Sequence, residues 1–356
     1  MENSALVRLP IYSKIAQIVL GILAFGFILY VGKDILVPIL FATIIAILLN
    51  PIVDFLVSKK INRIVAIVSS LIVTMLIVLG VLYFIGAQMA SFSDSFPVFK
   101  QKFIGLFHNT TQWISSTFNI TNPQIDAWIA KTQKESLSNG TAFIGHTLGT
   151  VGGIMAILLL LPVYIFMILL YKSLLVKFIY KLFQSNSHKV VGEILNQTKS
   201  LIQSYLVGLL IEAAIVATLN SVALMIIGVP YAILIGVIGA ILNVIPYIGG
   251  LVAVAIPMIL ALATANPISA LWVFVAYLII QFIDNNFLVP KIVASKVEVN
   301  ALISIIVVLI GGSLWGVAGM FLSIPLTAIL KVIFDRIEGL EPFGFLIGDQ
   351  ESSSKK

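Results

Sequence analysis

Three nearly uncharged runs open the chain, at residues 15–31, 35–57 and 64–87, and Asp54 is the one charged residue in them. A helix needs about 20 apolar residues to cross the roughly 30 Å hydrocarbon core of a bilayer, and each run is of that order. Further runs of the same kind follow in the second half. Of the whole sequence 60% is hydrophobic and 10% charged, with a mean hydropathy of +1.12. Ordinary soluble domains carry about 25% charged residues. The expected fold class is an all-α polytopic membrane protein.

The net charge of +6 does not point to nucleic acid, because the charges sit at segment ends and form no basic stripe on a soluble domain. With no cysteine, the chain has no disulfide and no thiolate ligand. Residues 1–14 followed by 15–31 have the outline of a signal peptide. No small-residue cleavage site follows, however, and the next run begins at Ile35, so an uncleaved first helix is expected.

The chain then divides by polarity. Residues 1–89 hold three transmembrane helices, and 90–148 form an extracytoplasmic amphipathic cap. In the cap Phe92, Phe96, Phe99, Phe103 and Phe107 recur at helical spacing, with Ser95 and Pro97 placed to start a helix. Residues 149–204 supply a fourth span and a basic cytoplasmic linker read as one or two amphipathic helices. A transport core is expected over 205–335, its fifth span starting at Tyr205, and a cytoplasmic tail over 336–356.

Within that core, Asn243, Pro246, Tyr247, Gly249 and Gly250 interrupt an apolar run, and Gly311, Gly312 and Gly316 interrupt another. Proline cannot donate a backbone hydrogen bond, and broken backbone at membrane depth is tolerated only inside protein or beside a watery cavity. The arm 231–243 has 13 residues, which at 1.5 Å each is roughly 20 Å and short of a full span. Two re-entrant helical hairpins are therefore expected. One dips in from outside and the other from the cytoplasm, as an inverted repeat with about eight membrane segments in all. An echo supports the pairing: 250–260 with Pro257 resembles 319–330 with Pro325, allowing a one-residue gap. A simple kink that aids packing is the alternative reading. This topology puts sixteen of the 21 Lys and Arg residues on one side, which makes both termini cytoplasmic.

A carboxylate in the middle of a bilayer costs about 2.5–3.5 kcal/mol on insertion scales, so it is a functional candidate. Glu212 lies inside the fifth span, and Asp284 ends an apolar run beside Gln281 and Asn285. With Asn243 and Tyr247 at the first hairpin tip, these six form the candidate substrate or ion site, coupled to H⁺ or Na⁺. Pro246, Gly249, Gly250, Gly311, Gly312, Gly316 and Pro325 are the candidate hinges. Asp54 is expected to be a solvated charge near Lys59 and Lys60. No catalytic residue or cofactor is expected. His108, His146 and His188 fall in separate polar regions, and no His-Glu-x-x-His, Gly-x-Ser-x-Gly or phosphate-binding loop appears, so movement would follow a gradient.

Blocks at 35–66, 228–250, 281–300 and 311–333 together resemble the AI-2E family of bacterial permeases, the autoinducer-2 exporter family. The positions that carry the resemblance include Pro38, Asn50, Pro51, Asn243, Pro246, Tyr247, Gly249, Gly250, Asp284, Asn285, Pro290, Gly311, Gly312, Gly316, Gly319 and Pro325. The resemblance implies a multi-pass protein of the bacterial inner membrane, with cytoplasmic ends and a homo-oligomeric, pentameric assembly. It implies a secondary transporter of a small polar solute such as autoinducer-2, a quorum-sensing signal. Its alternatives are a Na⁺(Li⁺)/H⁺ antiporter and, in another class, a non-transporting membrane scaffold. The implied partners are a small polar solute or monovalent cation, membrane lipids and further copies of the chain.

Overall fold

The computed structural model describes residues 10–118, 160–245, 248–264, 267–293 and 299–348, and these are helical with no strand among them. Six of the helices are long and apolar enough to cross a membrane, and the bent pair Leu160–Leu170 and Lys172–Leu182 makes a seventh. In order they are α1 (Ile11–Val31), α2 (Lys33–Ser58), α3 (Arg63–Phe118), α4 (Leu160–Leu170), α5 (Lys172–Leu182), α6 (His188–Ile227), α7 (Ala232–Asn243), α8 (Ile248–Thr264), α9 (Pro267–Ile283), α10 (Ala301–Phe334) and α11 (Glu341–Ile347). After Ile283 the α9 backbone widens into a π-helix over Asp284–Val293.

Small residues set the packing. Lipid is as apolar as leucine, so membrane helices associate where short side chains let backbones approach. Ala42 and Ala46 of α2 and Ala66 of α3 are buried in one cluster with Leu49, Ile165 and Leu169, which joins α2, α3 and α4. Ile44, Tyr205 and Leu322 join α2 to α6 and α10. Asn50, buried in α2, accepts from Lys172 Nζ at 2.8 Å and donates to Asp54 Oδ2 at 2.7 Å. Asp54 therefore pairs with Lys172, across a helix contact, in place of the expected neighbours Lys59 and Lys60.

Two boundaries differ from expectation. The cap helix was expected to start at Ser95–Pro97, but α3 runs unbroken for 56 residues, about 84 Å, with Pro97 inside it. Pro97 frees the carbonyl four residues earlier, at Ser93, which is exposed and beyond the apolar part of the helix. Residues 119–148 of the cap lie outside the described residues. Similarly, α6 begins at His188, so the second half of the basic linker and the span from Tyr205 are one helix of 40 residues. No proline interrupts it, and Gly228, in the left-handed region at φ 82°, ends it.

Both interrupted runs fold back. In the first, Gly249 abuts the backbone of Leu242 and Asn243, and a Cβ added at Gly239 of α7 would stand 3.5 Å from Ala253 Cβ of α8. In the second, α10 reverses at Gly316, whose φ of 61° and ψ of −143° suit only glycine. Gly311 then packs against Gly319 and Ser323, residues a straight helix would hold about 18 Å from it in the second case. The tip of the second hairpin lies beside the end of α1. Trp315 Nε1 at its tip donates to Leu29 O at 2.9 Å, two residues from the far end of α1. At its base Asn300 caps α10 by accepting from Ile303 N at 3.0 Å, and its amide donates to the carbonyls of Leu346, Ile347 and Gly348 around the end of α11.

Candidate functional site

Hairpin one is held from three sides. Its entry residue Tyr231 packs edge-on against Phe92 and Phe99 of α3, and its hydroxyl lies 2.7 Å from Ser95 Oγ while donating to Ser91 O at 2.9 Å. The phenylalanine spacing in the cap thus has a structural use: α3 braces the start of α7. On the other sides α7 packs on α6 near Ser221 and on α9 near Tyr277, both close to Gly236 or Gly239. The helices α6 and α9 run antiparallel. Asn220 and Tyr277 both meet Gly239, while Glu212 meets Asp284 further along.

Glu212 and Asp284 are near enough for each carboxyl to act on the other. Both residues are buried, at 7% and 2% exposure. Asp284 stands where α9 widens into the π-helix, a local feature often found at functional sites. Asn243, the last residue of α7, donates Nδ2–H to Asp284 Oδ2 at 2.8 Å. The other oxygen, Asp284 Oδ1, is buried without a partner among the described residues, as are Tyr277 Oη and Asn220 Oδ1. Leaving such a group unpaired costs about 1–3 kcal/mol, so the place invites a donor or a cation.

Glu212, Asn243, Tyr277 and Asp284 line a cavity of about 920 Å³. One wall is a polar strip of Glu212, Asn243, Gln281, Asp284 and Asn285; Gln281 Nε2 donates to Asn285 Oδ1 at 3.3 Å, and Gln281 lies flush against Gly250. Apolar side chains such as Val254, Met258, Phe274, Leu278 and Ile324 form the rest. Among the described residues no lysine, arginine or histidine lines it; residues 294–298, next to the lining residue Val299, lie outside them.

Five of the six expected binding residues therefore converge, from α6, α7, α9 and the π-helix. Tyr247 and the expected hinge Pro246 lie outside the described residues. Gly249 and Gly250 sit at the tip of the first hairpin, as the broken run suggested. Gly311, Gly312 and Gly316 do not reach the cavity, because the second tip is at the end of α1; that hairpin lends Ser304 and Ile324 from its arms. Pro325 is fully buried in the returning arm and does not break it. The sequence reading missed Tyr205, Tyr277 and Asn220. Each tyrosine stands seven residues before a carboxylate on the same helix face, a spacing that would have flagged it.

The family model described as AI-2E family transporter matches residues 19–339. The chain belongs to the AI-2E family. It is 24% identical over 321 residues to the AI-2 transport protein TqsA of Escherichia coli (strain K12), covering 89% of this chain and 90% of that protein. It is also similar to YueF of Bacillus subtilis (strain 168), named as a candidate transport protein, at 26% over 320 residues with 83% and 82% covered. A third relative, YhhT of Escherichia coli (strain K12), carries the same kind of name and is 24% identical over 330 residues, 92% of each chain. This AI-2E protein is thus a multi-pass membrane transport protein, and the family is one of permeases and not of enzymes.

Proposed function

We propose that this AI-2E protein is a secondary transporter that moves a small polar solute by alternating access, with the cavity beneath the first hairpin as its binding site. The observation that carries the reading is the buried Glu212–Asp284 pair in a cavity of about 920 Å³, braced by a helix that ends in mid-protein. Autoinducer-2, the cargo in the name of the relative TqsA, is the first solute to test. The pairing of α6 with the α7–α8 hairpin and of α9 with the α10 hairpin supports an inverted repeat, and Pro257 and Pro325, both fully buried in returning arms, are its matched positions. The clustering of Lys59, Lys60, Arg63, Lys172 and Arg336 at one end supports cytoplasmic termini in a bacterial inner membrane. Helix α1 has no buried residue, which supports a lipid-facing or inter-subunit position in a homo-oligomer such as a pentamer.

A second reading is Na⁺(Li⁺)/H⁺ antiport, favoured by two neighbouring carboxyls with no basic residue among the described residues of the cavity lining. Proteoliposomes separate the two. Autoinducer-2 efflux without a sodium response is the expected result, with Glu212→Gln and Asp284→Asn abolishing it. A pH-gradient-dependent Na⁺ or Li⁺ signal without solute movement would replace it with antiport, and no flux of any kind would leave a non-transporting scaffold.

A further inference from the structure

The cavity has a chemical polarity that goes further than the presence of a solute site. Among the described residues its charged groups, Glu212 and Asp284, are both acidic, and Tyr205 and Tyr277 are the other titratable residues in its lining. A like-charged pair at this separation and depth holds either a shared proton or a cation. Asn243 supplies one donor, to Asp284 Oδ2, and Asp284 Oδ1 is left buried without a partner among the described residues. Backbone charge does not change the sign. The C-terminal end of α7 at Asn243 and the N-terminal end of α8 near Gly250 meet at the same point, so their opposite dipole ends largely cancel.

Around the acidic pair stand aromatic and aliphatic side chains. Tyr205, Tyr277 and Phe274 line the cavity together with Val254, Met258 and Leu278. Ring faces attract cations, and aromatic surfaces near a negative charge are a known way to bind an organic ammonium group. An ammonium donates hydrogen bonds and accepts none, which suits Asp284 Oδ1 and Tyr277 Oη, both without a partner among the described residues. A phosphate or carboxylate would meet two acids and, among the described residues, no basic partner.

Building on the transport reading, we propose that the site takes a monovalent organic ammonium with an apolar body, binding its nitrogen between Glu212 and Asp284 and its body against Tyr277, Phe274 and Met258, and that it rejects anions of the same size. As the ammonium enters, the proton shared by the carboxyls leaves to water, so one positive charge replaces another.

Three probes that differ only in the head group test this: 2-phenylethylammonium, 2-phenylethanol and phenylacetate, titrated by calorimetry into the full chain in lipid nanodiscs. The ammonium should bind saturably, and phenylacetate about ten-fold or more weaker, the scale of one charge-assisted hydrogen bond. Glu212→Gln and Asp284→Asn should each weaken ammonium binding about 10- to 100-fold, and about ten-fold more than they weaken 2-phenylethanol binding. If either variant is not monodisperse, Tyr277→Leu carries the test, with both carboxyls kept: losing the ring under the shared phenyl body should weaken the ammonium and 2-phenylethanol alike, by about 2- to 30-fold, and unchanged binding of both overturns the placement. Phenylacetate binding as tightly as the ammonium, or ammonium binding untouched by the variants, overturns the proposal. Neutral-solute flux without ammonium binding would overturn this preference and leave transport standing. Ammonium binding without flux of any solute would do the reverse.

Discussion

Replacing Gly239 and Ala253 with cysteine tests whether residues 232–264 fold back on themselves. A Cβ at Gly239 stands 3.5 Å from Ala253 Cβ, inside the range of about 3.5–4.5 Å that a disulfide needs. In a kinked helix crossing the membrane once, the same positions would lie about 21 Å apart, fourteen residues at 1.5 Å each. No intermediate value is available to a helix, so the two architectures give opposite results. The native chain contains no cysteine, so every thiol signal comes from the introduced pair. Oxidation with copper phenanthroline in membranes, then denaturation and labelling with a large maleimide, should leave the double variant unlabelled and each single variant labelled once. The new Cβ also stands 3.3 Å from Tyr277 Oη, so Gly239→Cys alone is the control for crowding. Two free thiols after oxidation in a well-folded double variant would refute the hairpin. A disulfide-linked dimer would show pairing between subunits, which a hairpin does not explain.

Other consequences are narrower. Gly316→Ala puts a Cβ on a backbone at φ 61° and ψ −143°; strain of about 1–3 kcal/mol should appear as a lower melting temperature in detergent, while Gly80→Ala, with open space around it, should not shift it. Trp315→Phe removes the 2.9 Å bond to Leu29 O, worth about 0.5–1.5 kcal/mol, and faster hydrogen exchange at the end of α1 is expected. Asn300→Ala deletes the α10 cap and the amide contacts to Leu346, Ile347 and Gly348; exchange over Glu341–Ile347 should rise, with a stability loss of about 0.5–2 kcal/mol. Unchanged exchange in α11 would show that other contacts hold it.

Much of this fold was legible because membrane helices announce themselves by run length, and because proline and glycine inside such a run have few uses. The break at Asn243–Gly250 marked at once where the chain folds back and where the cavity lies. The helix ends were less legible. Pro97 looked like a start, yet it sits inside α3 where water can satisfy the carbonyl it frees, and nothing in a single sequence says where the apolar layer stops. The second break was read as a hairpin, and α10 does reverse at Gly316, while Gly311 and Gly312 serve close packing next to α1 and not the cavity. Glycine gives the same signal for a turn, a contact and a ligand approach. Asp284 was found as a charge ending a run, while its burial depends on α9 widening after Ile283, which no periodicity shows.

The two tyrosines add a constraint of their own. Tyr205 precedes Glu212, and Tyr277 precedes Asp284, by seven residues each, about 10.5 Å along a helix. Since α6 and α9 run antiparallel through the point where the carboxyls meet, equal spacing places the rings on opposite sides of the pair. A solute held at Glu212 and Asp284 therefore has one tyrosine between it and each end of the helices. On the transport reading the cavity has no preferred exit in its chemistry: the acid, the ring and the spacing are alike in both directions. Directionality would then rest on which hairpin moves and on the gradient that recharges the carboxyls, so shortening the Tyr205 ring, on the side away from the bound body, should change the rate through that side without changing which cargo binds.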